Sequence, residues 1–274
     1  MIGIFDSGVG GLGIFDEIRK LMPNENILYL ADTKNCPYGE KTVKQIKQIC
    51  LDNSKFLVKK GVDIIVVACN TGSTIALEYL RSQIHLHLRG VTFVGVVPVV
   101  KTCAEVSKNK RIGILATKAT VESKYLQDLV EKYCPSNQEY HIYYQAANEL
   151  VGLVESYKLQ VMNYKLIKRY LQLFIDNEVD VIALGCTHFP FLRSDIEEIL
   201  GPDVKVLDSN GAVARQVQRI QNAALPAGRQ EFRMQNDKLN EKKSSYQFFT
   251  SGNIDKVKPV MENLLGEKID LKKK

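Results

Sequence analysis

Cys69 and Cys186 each close a run of apolar residues, and the two runs can be laid one over the other. Val62-Asp63-Ile64-Ile65-Val66-Val67-Ala68-Cys69-Asn70 matches Val179-Asp180-Val181-Ile182-Ala183-Leu184-Gly185-Cys186-Thr187, 117 residues further on. A thiolate at the entrance to a helix is stabilised by backbone donors and works as a base near neutral pH. Two such thiols can do more than one. Inverting a carbon centre needs a proton to leave one face and another to arrive on the opposite face, which a thiolate and a thiol accomplish together. A nucleophilic mechanism would need only one of them. Cysteine is also a common small buried hydrophobe, so core packing stays open as the alternative.

The neighbouring residues suit a polar ligand. Asn70, Thr71, Gly72, Ser73 and Thr74 follow Cys69, and Thr187, His188, Phe189 and Pro190 follow Cys186. Both runs offer hydroxyl, amide or backbone donors where a helix starts. His188 is placed either to exchange a proton with Cys186 or to hydrogen-bond the helix entrance. Asp6 is placed either to orient a substrate ammonium group, to assist Cys69, or to cap the next helix. Gly8, Gly10 and Gly11 permit close backbone approach and a small anion nest. Gly8-Val9-Gly10-Gly11-Leu12-Gly13 also spells a dinucleotide fingerprint, with Asp32 as a ribose ligand. That alternative sets the Asp6 carboxylate against a pyrophosphate and leaves the paired cysteines without a task. Cys36, Cys50, Cys103 and Cys134 have no matching partner and read as packing residues. His85, His87 and His141 read as structural or exposed.

The elements needed to position these residues follow the strand, loop, helix rhythm of a parallel sheet. Strands are expected over Ile2 to Phe5, Asn26 to Leu30, Val62 to Ala68 and Val91 to Val97, with helices through Ile14 to Leu21 and Ile46 to Leu57. Ile2-Gly3-Ile4-Phe5 recurs as Ile112-Gly113-Ile114-Leu115, 110 residues on, which with the cysteine match indicates two diverged tandem units. The first unit spans 1–98 and the second 99–207, with helices at 121–133, 148–157, 162–177 and 191–200. Residues 208–274 return to complete the first unit, through a helix at 213–220, a polar excursion at about 222–243 with a turn at Pro226-Ala227-Gly228, and a strand at 246–250. Ligands in such units meet the loops beyond the carboxyl ends of the strands, which is where both cysteines fall.

The chain of 274 residues, 45% hydrophobic and 25% charged, is long enough for one large core or two smaller ones. Its six cysteines lack the spacing of a zinc site or a disulfide framework, so reduced thiols, a cytoplasmic location and no metal are expected. No stretch has the apolar length of a membrane span or the pattern of a secretory leader. The formal charge is +6, with lysines and arginines scattered apart from groups near 108–111, 242–243 and 272–274. These groups read as solvated surface, without a nucleic-acid patch.

Asp6-Ser7-Gly8-Val9-Gly10-Gly11, Ala31-Asp32 with Pro37-Tyr38-Gly39, Ala68-Cys69-Asn70-Thr71, Gly185-Cys186-Thr187-His188-Phe189-Pro190 and Phe249-Thr250-Ser251-Gly252 together resemble the glutamate racemase family. The resemblance implies two similar parallel-sheet, flavodoxin-like α/β domains related by internal duplication, with the active site in the cleft between them. It implies interconversion of L-glutamate and D-glutamate without a cofactor, for peptidoglycan, by a homodimer. Cys69 would take the α proton of D-glutamate and Cys186 would protonate the other face, with Asp6 supporting the first thiol and His188 the second. Ser7, Pro37, Tyr38, Gly39, Asn70, Thr71 and Thr187 would shape the substrate site. Gly72 replaces a usual Ala, and Val97-Pro98-Val99 a usual Glu-Pro-Gly. Near Ala147-Asn148-Glu149-Leu150 a frequent Cys-Pro pair is absent, while Leu153-Val154-Glu155 keeps the pattern, and Asn210-Gly211 departs near a strand-end loop. An aspartate racemase with the same two-thiol logic and a small-anion-binding module are the competing expectations.

Overall fold

The computed structural model describes residues 1–84, 88, 90–135, 139–156, 163–223 and 244–274. His85, His87, most of the polar excursion with its Pro226-Ala227-Gly228 turn, and Lys242-Lys243 lie outside the described residues, as do the expected helix ends at 157 and 162.

The strands in chain order are β1 (Ile2–Asp6), β2 (Ile27–Ala31), β3 (Ile64–Val67), β4 (Thr92–Gly95), β5 (Arg111–Ala116), β6 (His141–Ala146), β7 (Val181–Gly185), β8 (Lys205–Leu207), β9 (Tyr246–Thr250) and β10 (Leu271–Lys273). They form a six-stranded sheet in the order β10-β9-β2-β1-β3-β4 and a four-stranded sheet in the order β6-β5-β7-β8, with every pairing parallel. The order β2-β1-β3-β4 in one sheet is repeated by β6-β5-β7-β8 in the other. Register repeats as well. Ile2, Gly3, Ile4 and Phe5 pair with Ile64, Ile65, Val66 and Val67, and Ile112, Gly113, Ile114 and Leu115 pair with Val181, Ile182, Ala183 and Leu184. The two sequence offsets, 110 and 117 residues, therefore describe one duplicated α/β sheet whose two cysteines follow equivalent strands.

The helices are α1 (Leu12–Leu21), α2 (Val43–Lys59), α3 (Asn70–Ser82), α4 (Val100–Val106), α5 (Lys118–Val121), α6 (Lys124–Tyr133), α7 (Asn148–Glu155), α8 (Asn163–Asp176), α9 (Arg193–Leu200), α10 (Asn210–Ala223) and α11 (Ile254–Leu265). In α2 the entrance is fixed by a capping box: Gln45 N–H donates to Thr42 Oγ1 at 3.3 Å and Thr42 N–H donates to Gln45 Oε1 at 2.9 Å. The helix then buries Ile46, Cys50, Ser54 and Leu57 at helical spacing against the first sheet. One apolar core runs through both sheets: Ile4, Phe15 and Tyr29 belong to the same buried cluster as Leu150, Phe174, Ile182 and Phe189. Helix α10 lies against α1, and a Cβ at Gly13 would meet the Asn210 amide at 2.6 Å.

Several elements differ from the sequence expectation. Pro190 lies in a 3-10 turn, Phe189–Leu192, ahead of α9 rather than opening a helix over 191–200. The expected 121–133 helix is two, with Ser123 capping the second by accepting from Leu126 N–H. Helix α10 begins three residues earlier than expected and continues to Ala223. Strand β6 had no counterpart, because this edge strand is half-exposed and carries a weak apolar pattern. The terminal lysines are not simply solvated. Lys272 and Lys273 form part of β10, Lys273 Nζ donates to Ser251 O at 2.8 Å, and Lys274 Nζ donates to Asn53 Oδ1. Lysine on a short edge strand also discourages further strand pairing.

Gly3 and Gly113 are equivalent in the duplication, and both are required by close packing. A Cβ at Gly3 would stand 2.7 Å from Val62 Cγ1, and one at Gly113 would stand 2.9 Å from Phe174 Cδ1. Gly3→Val and Gly113→Val are each expected to lower stability by about 1–3 kcal/mol through overpacking. Thermal melting of the purified variants checks this, and an unchanged midpoint in both would contradict the packing assigned to the pair.

Candidate active site

The carboxyl ends of β1, β3, β5 and β7 converge on one small cavity of about 20 Å³. Cys69 and Ser7 line it from the first sheet, together with Asn70 and Thr71 at the start of α3. Cys186, Thr187 and His188 line it from the second, with Val151 of α7 and Thr117 after β5. Pro37, Tyr38 and Gly39 complete the wall. Asp6 lies beneath, fully buried. The structure thus brings together the side chains that the sequence singled out.

Cys69 is the N-cap of α3, and its sulfur accepts from Gly72 N–H at 3.4 Å. The thiol points to Ser7 Oγ at 3.6 Å, a hydroxyl that donates in return to a thiolate. Burial pushes the Cys69 thiol well above the usual range, and the Asp6 charge adds to this. The Gly72 N–H and Ser7 act in the opposite direction. In the resting site Cys69 is therefore a neutral thiol.

The Gly8 to Gly11 turn does hold anions, and they are the protein's own carboxylates. Asp6 Oδ2 accepts from Gly8 N–H at 3.2 Å and Gly11 N–H at 3.1 Å, while Glu155 Oε1 accepts from Val9 N–H at 2.7 Å. A Cβ at Gly8 would fall 1.8 Å from Glu155 Oε1, and one at Gly10 would fall 2.4 Å from His188 Nδ1. The space above the glycines is filled by side chains of the second unit, which removes the dinucleotide alternative. Asp32 is equally committed, accepting from Tyr38 Oη at 2.7 Å, Asn53 Nδ2 at 3.0 Å and Ser251 Oγ at 2.5 Å. Burial raises the Asp6 pKa; the nearby His188 charge opposes the shift and Glu155 adds to it.

Across the cavity Cys186 Sγ lies 3.7 Å from His188 Nδ1, and His188 Nε2 lies 2.6 Å from Glu155 Oε1. Burial disfavours a charge on His188, but its hydrogen bonds to Cys186 and Glu155 and their negative charges outweigh burial and hold its pKa well above the ordinary value. The ring is thus an imidazolium, able to donate to a Cys186 thiolate.

Glu155 was not singled out as a site residue, because it reaches His188 through the fold from 33 positions away. Thr117 and Thr120 were also missed. Their hydroxyls lie 3.1 Å and 3.4 Å from Thr71 Oγ1 and 3.0 Å from each other, a buried cluster at the cavity. A signal for Thr117 was present: the 110-residue offset that lays Ile2 on Ile112 lays Ser7 on Thr117. Among the described residues no group of three or more His, Cys, Asp or Glu side chains has a metal-binding arrangement. No helix among them is long and apolar enough to cross a membrane.

The family model for Asp/Glu/Hydantoin racemase matches residues 13–217. The chain belongs to that family, within its glutamate racemase branch. It is 41% identical over 224 residues to a glutamate racemase of Herpetosiphon aurantiacus, covering 81% of this chain and 85% of the relative. It is 33% identical over 277 residues to a glutamate racemase of Clostridium novyi, covering 97% and 96%. The crystal structure of Escherichia coli glutamate racemase in complex with L-glutamate and the activator UDP-MurNAc-ala superimposes with a TM-score of 0.82 at 30% identity, over 99% of this chain and 97% of that one. The two-sheet duplication is the fold of the family.

Removing the Glu155 charge removes one of the interactions that hold His188 protonated. Glu155→Gln is therefore expected to lower the His188 pKa, so that the ring loses its proton at a lower pH than in the parent protein. Titration of the imidazole by NMR checks the direction, and an unchanged or raised midpoint would contradict it.

Proposed function

We propose that the chain interconverts L-glutamate and D-glutamate by proton exchange between two cysteines, needs no cofactor, and supplies D-glutamate for peptidoglycan. The observation that carries this reading is the placement of Cys69 and Cys186 at equivalent strand ends of a duplicated fold, lining one cavity. Family membership supports the same reaction class.

In the D to L direction Cys69 first gives its thiol proton to the Asp6 carboxylate, whose pKa burial raises, and then as the thiolate takes the α hydrogen as a proton. The electron pair left on Cα is delocalised into the α-carboxylate, and Cys186 delivers its proton to the opposite face. Cys69 then holds a thiol and Cys186 a thiolate. The reverse direction starts at Cys186. Raising the thiol pKa by burial makes the Cys69 thiolate, once formed, a stronger base toward a weakly acidic α hydrogen. Asp6, beside the incoming ammonium group, supports Cys69. His188, charged and backed by Glu155, donates to Cys186 as that thiolate forms. Asn70 supports carboxylate binding with a buried Nδ2 that has no hydrogen-bond partner among the described residues, a donor that is costly to leave unmade. Ser7, Thr71 and Thr187 add hydroxyls, and Pro37, Tyr38 and Gly39 form a wall. Tyr38 contributes its ring rather than its hydroxyl, which is given to Asp32.

The cavity of about 20 Å³ has room for roughly one water molecule and not for an amino acid, so substrate enters when the two sheets part and the site closes over it. The working units are residues 1–98 with 208–274, and residues 99–207. We place the enzyme in the cytoplasm as a homodimer without nucleic-acid or membrane partners, and sedimentation of the purified protein tests the dimer.

Either enantiomer of glutamate incubated with the protein in deuterated water, without pyridoxal phosphate, is expected to lose optical purity and gain one deuteron at Cα by mass analysis. Binding without exchange would make the chain a small-anion-binding module, and exchange of aspartate but not glutamate would make it an aspartate racemase. Cys69→Ser and Cys186→Ser are each expected to lower kcat by about 10²–10⁴-fold while the fold is kept, because an alcohol is a poor base. The enantiomers have equal free energy in water, so kcat/KM stays equal in the two directions for every variant. Near-normal turnover in either serine variant would remove that cysteine from the reaction.

A further inference from the structure

The wall formed by Pro37, Tyr38 and Gly39 is tied to the end of the chain. Asp32 sits just before this wall and is fully buried, as are Tyr38 and Asn53. Its two carboxylate oxygens are held from two directions. Oδ1 accepts from Ser251 Oγ at 2.5 Å and from Asn35 Nδ2 at 3.0 Å. Oδ2 accepts from Tyr38 Oη at 2.7 Å and from Asn53 Nδ2 at 3.0 Å, and the same Asn53 amide also donates to Tyr38 Oη at 3.0 Å. Asn53 is itself oriented, because Lys274 Nζ donates to its Oδ1 and so leaves its amide nitrogen to face Asp32 and Tyr38. Ser251 acts twice. Besides donating to Asp32, its hydroxyl accepts from Lys34 N–H at 3.1 Å, inside the turn that leads to Pro37. Thr250 adds a hydroxyl contact to Thr33 at 2.8 Å.

We propose that Ser251 and Lys274, supplied by the returning β9–β10 segment, are positioning residues that set the height of the Pro37–Gly39 wall over the substrate through Asp32, Asn53 and Tyr38. Neither side chain lines the cavity, so neither touches the reacting atoms. A buried carboxylate with several donors holds one arrangement while all are made and relaxes when one is lost. Losing Ser251 Oγ frees one oxygen of Asp32 and the Lys34 turn together. Losing Lys274 frees the Asn53 amide to rotate, with its oxygen turned toward two acceptors. Both changes loosen the same wall while leaving Cys69, Cys186, Asp6 and His188 where they are. The predicted effect therefore falls on substrate binding and spares proton transfer.

The inference rests on the reading of Pro37–Gly39 as a substrate wall, and the test separates the two. Ser251→Ala and Lys274→Met in the full chain are each expected to raise KM for L-glutamate about 3- to 10-fold and leave kcat within about twofold, the size of one lost hydrogen bond in a binding term. Lys274→Arg and Ser251→Thr restore a donor and are expected to recover most of the loss. Circular dichroism at the substrate's wavelength follows turnover, and the far-ultraviolet spectrum reports the fold. If KM stays within twofold in both loss variants, or kcat falls at constant KM, the inference is overturned. Should Ser251→Ala not fold, Lys274→Met, altered at an exposed position, decides alone. If the parent protein neither exchanges nor racemises glutamate, it is the function that fails.

Discussion

One glycine turn holds two carboxylates that belong to different halves of the molecule, Asp6 fully buried and Glu155 half-buried. The N–H groups of Gly8 and Gly11 are given to Asp6, and the intervening N–H of Val9 is given to Glu155. A buried carboxylate without donors would be expensive or would take up a proton. This turn supplies the donors, and in doing so brings the end of α7 down onto the end of β1. The absence of side chains at Gly8 and Gly10 is the steric condition for that approach, since Glu155 and His188 occupy the volume that a Cβ would need. Everything else in the site follows from this closeness: His188 reaches Glu155 because Glu155 is fixed to the turn, and Cys186 reaches His188 two residues away.

The same arrangement makes the two thiols unequal. Cys69 stands near Asp6 and has only the Gly72 N–H and the Ser7 hydroxyl to offset burial, so its neutral form is favoured. Cys186 stands beside an imidazolium that is itself sustained by a carboxylate. A duplicated scaffold has thus produced equivalent positions with different electrostatics. Two-base inversion at a carbon centre starts from one acid and one base, and a pair of identical environments would not define which is which. The differences trace to single positions in the repeat: Asn70 and Thr71 correspond to Thr187 and His188, and Asp6 corresponds to Ala116.

The duplication was legible because it is written in short, buried, parallel strands, where burial on both faces demands continuous apolar runs and fixes register. The positions of Cys69 and Cys186 came from the same runs. What the sequence hid was whatever depends on long-range approach. Glu155 lies at the end of a helix with nothing beside it in the chain to mark it, and Thr120 joins Thr71 only through the packing of α5 on α3. Strand β6 lacks the apolar alternation of a strand with a well-buried face, being an edge strand with half-exposed side chains. The lysines at the end of the chain looked like solvent-facing charge, since neither a three-residue edge strand nor a contact to Asn53 leaves a local pattern.

A cavity that barely holds a water molecule also constrains how the halves are joined. The chain crosses between the sheets at Val96–Val99, after β4, and at Asp208–Ser209, after β8. Each crossing is anchored on one side: Val96 N–H donates to Ser73 Oγ at 2.9 Å, and Asp208 accepts from Asn210 N–H at 2.8 Å and from Arg193. Between those anchors Val97 is exposed, so the first crossing has little packing to resist bending. Val97, Pro98 and Val99 lie within the first crossing, and Asn210 and Gly211 open α10 directly after the second. Neither crossing contributes a side chain to the acid and base chemistry of the closed site, which depends on contacts made where the Gly8 to Gly11 turn meets the Glu155 to His188 pair.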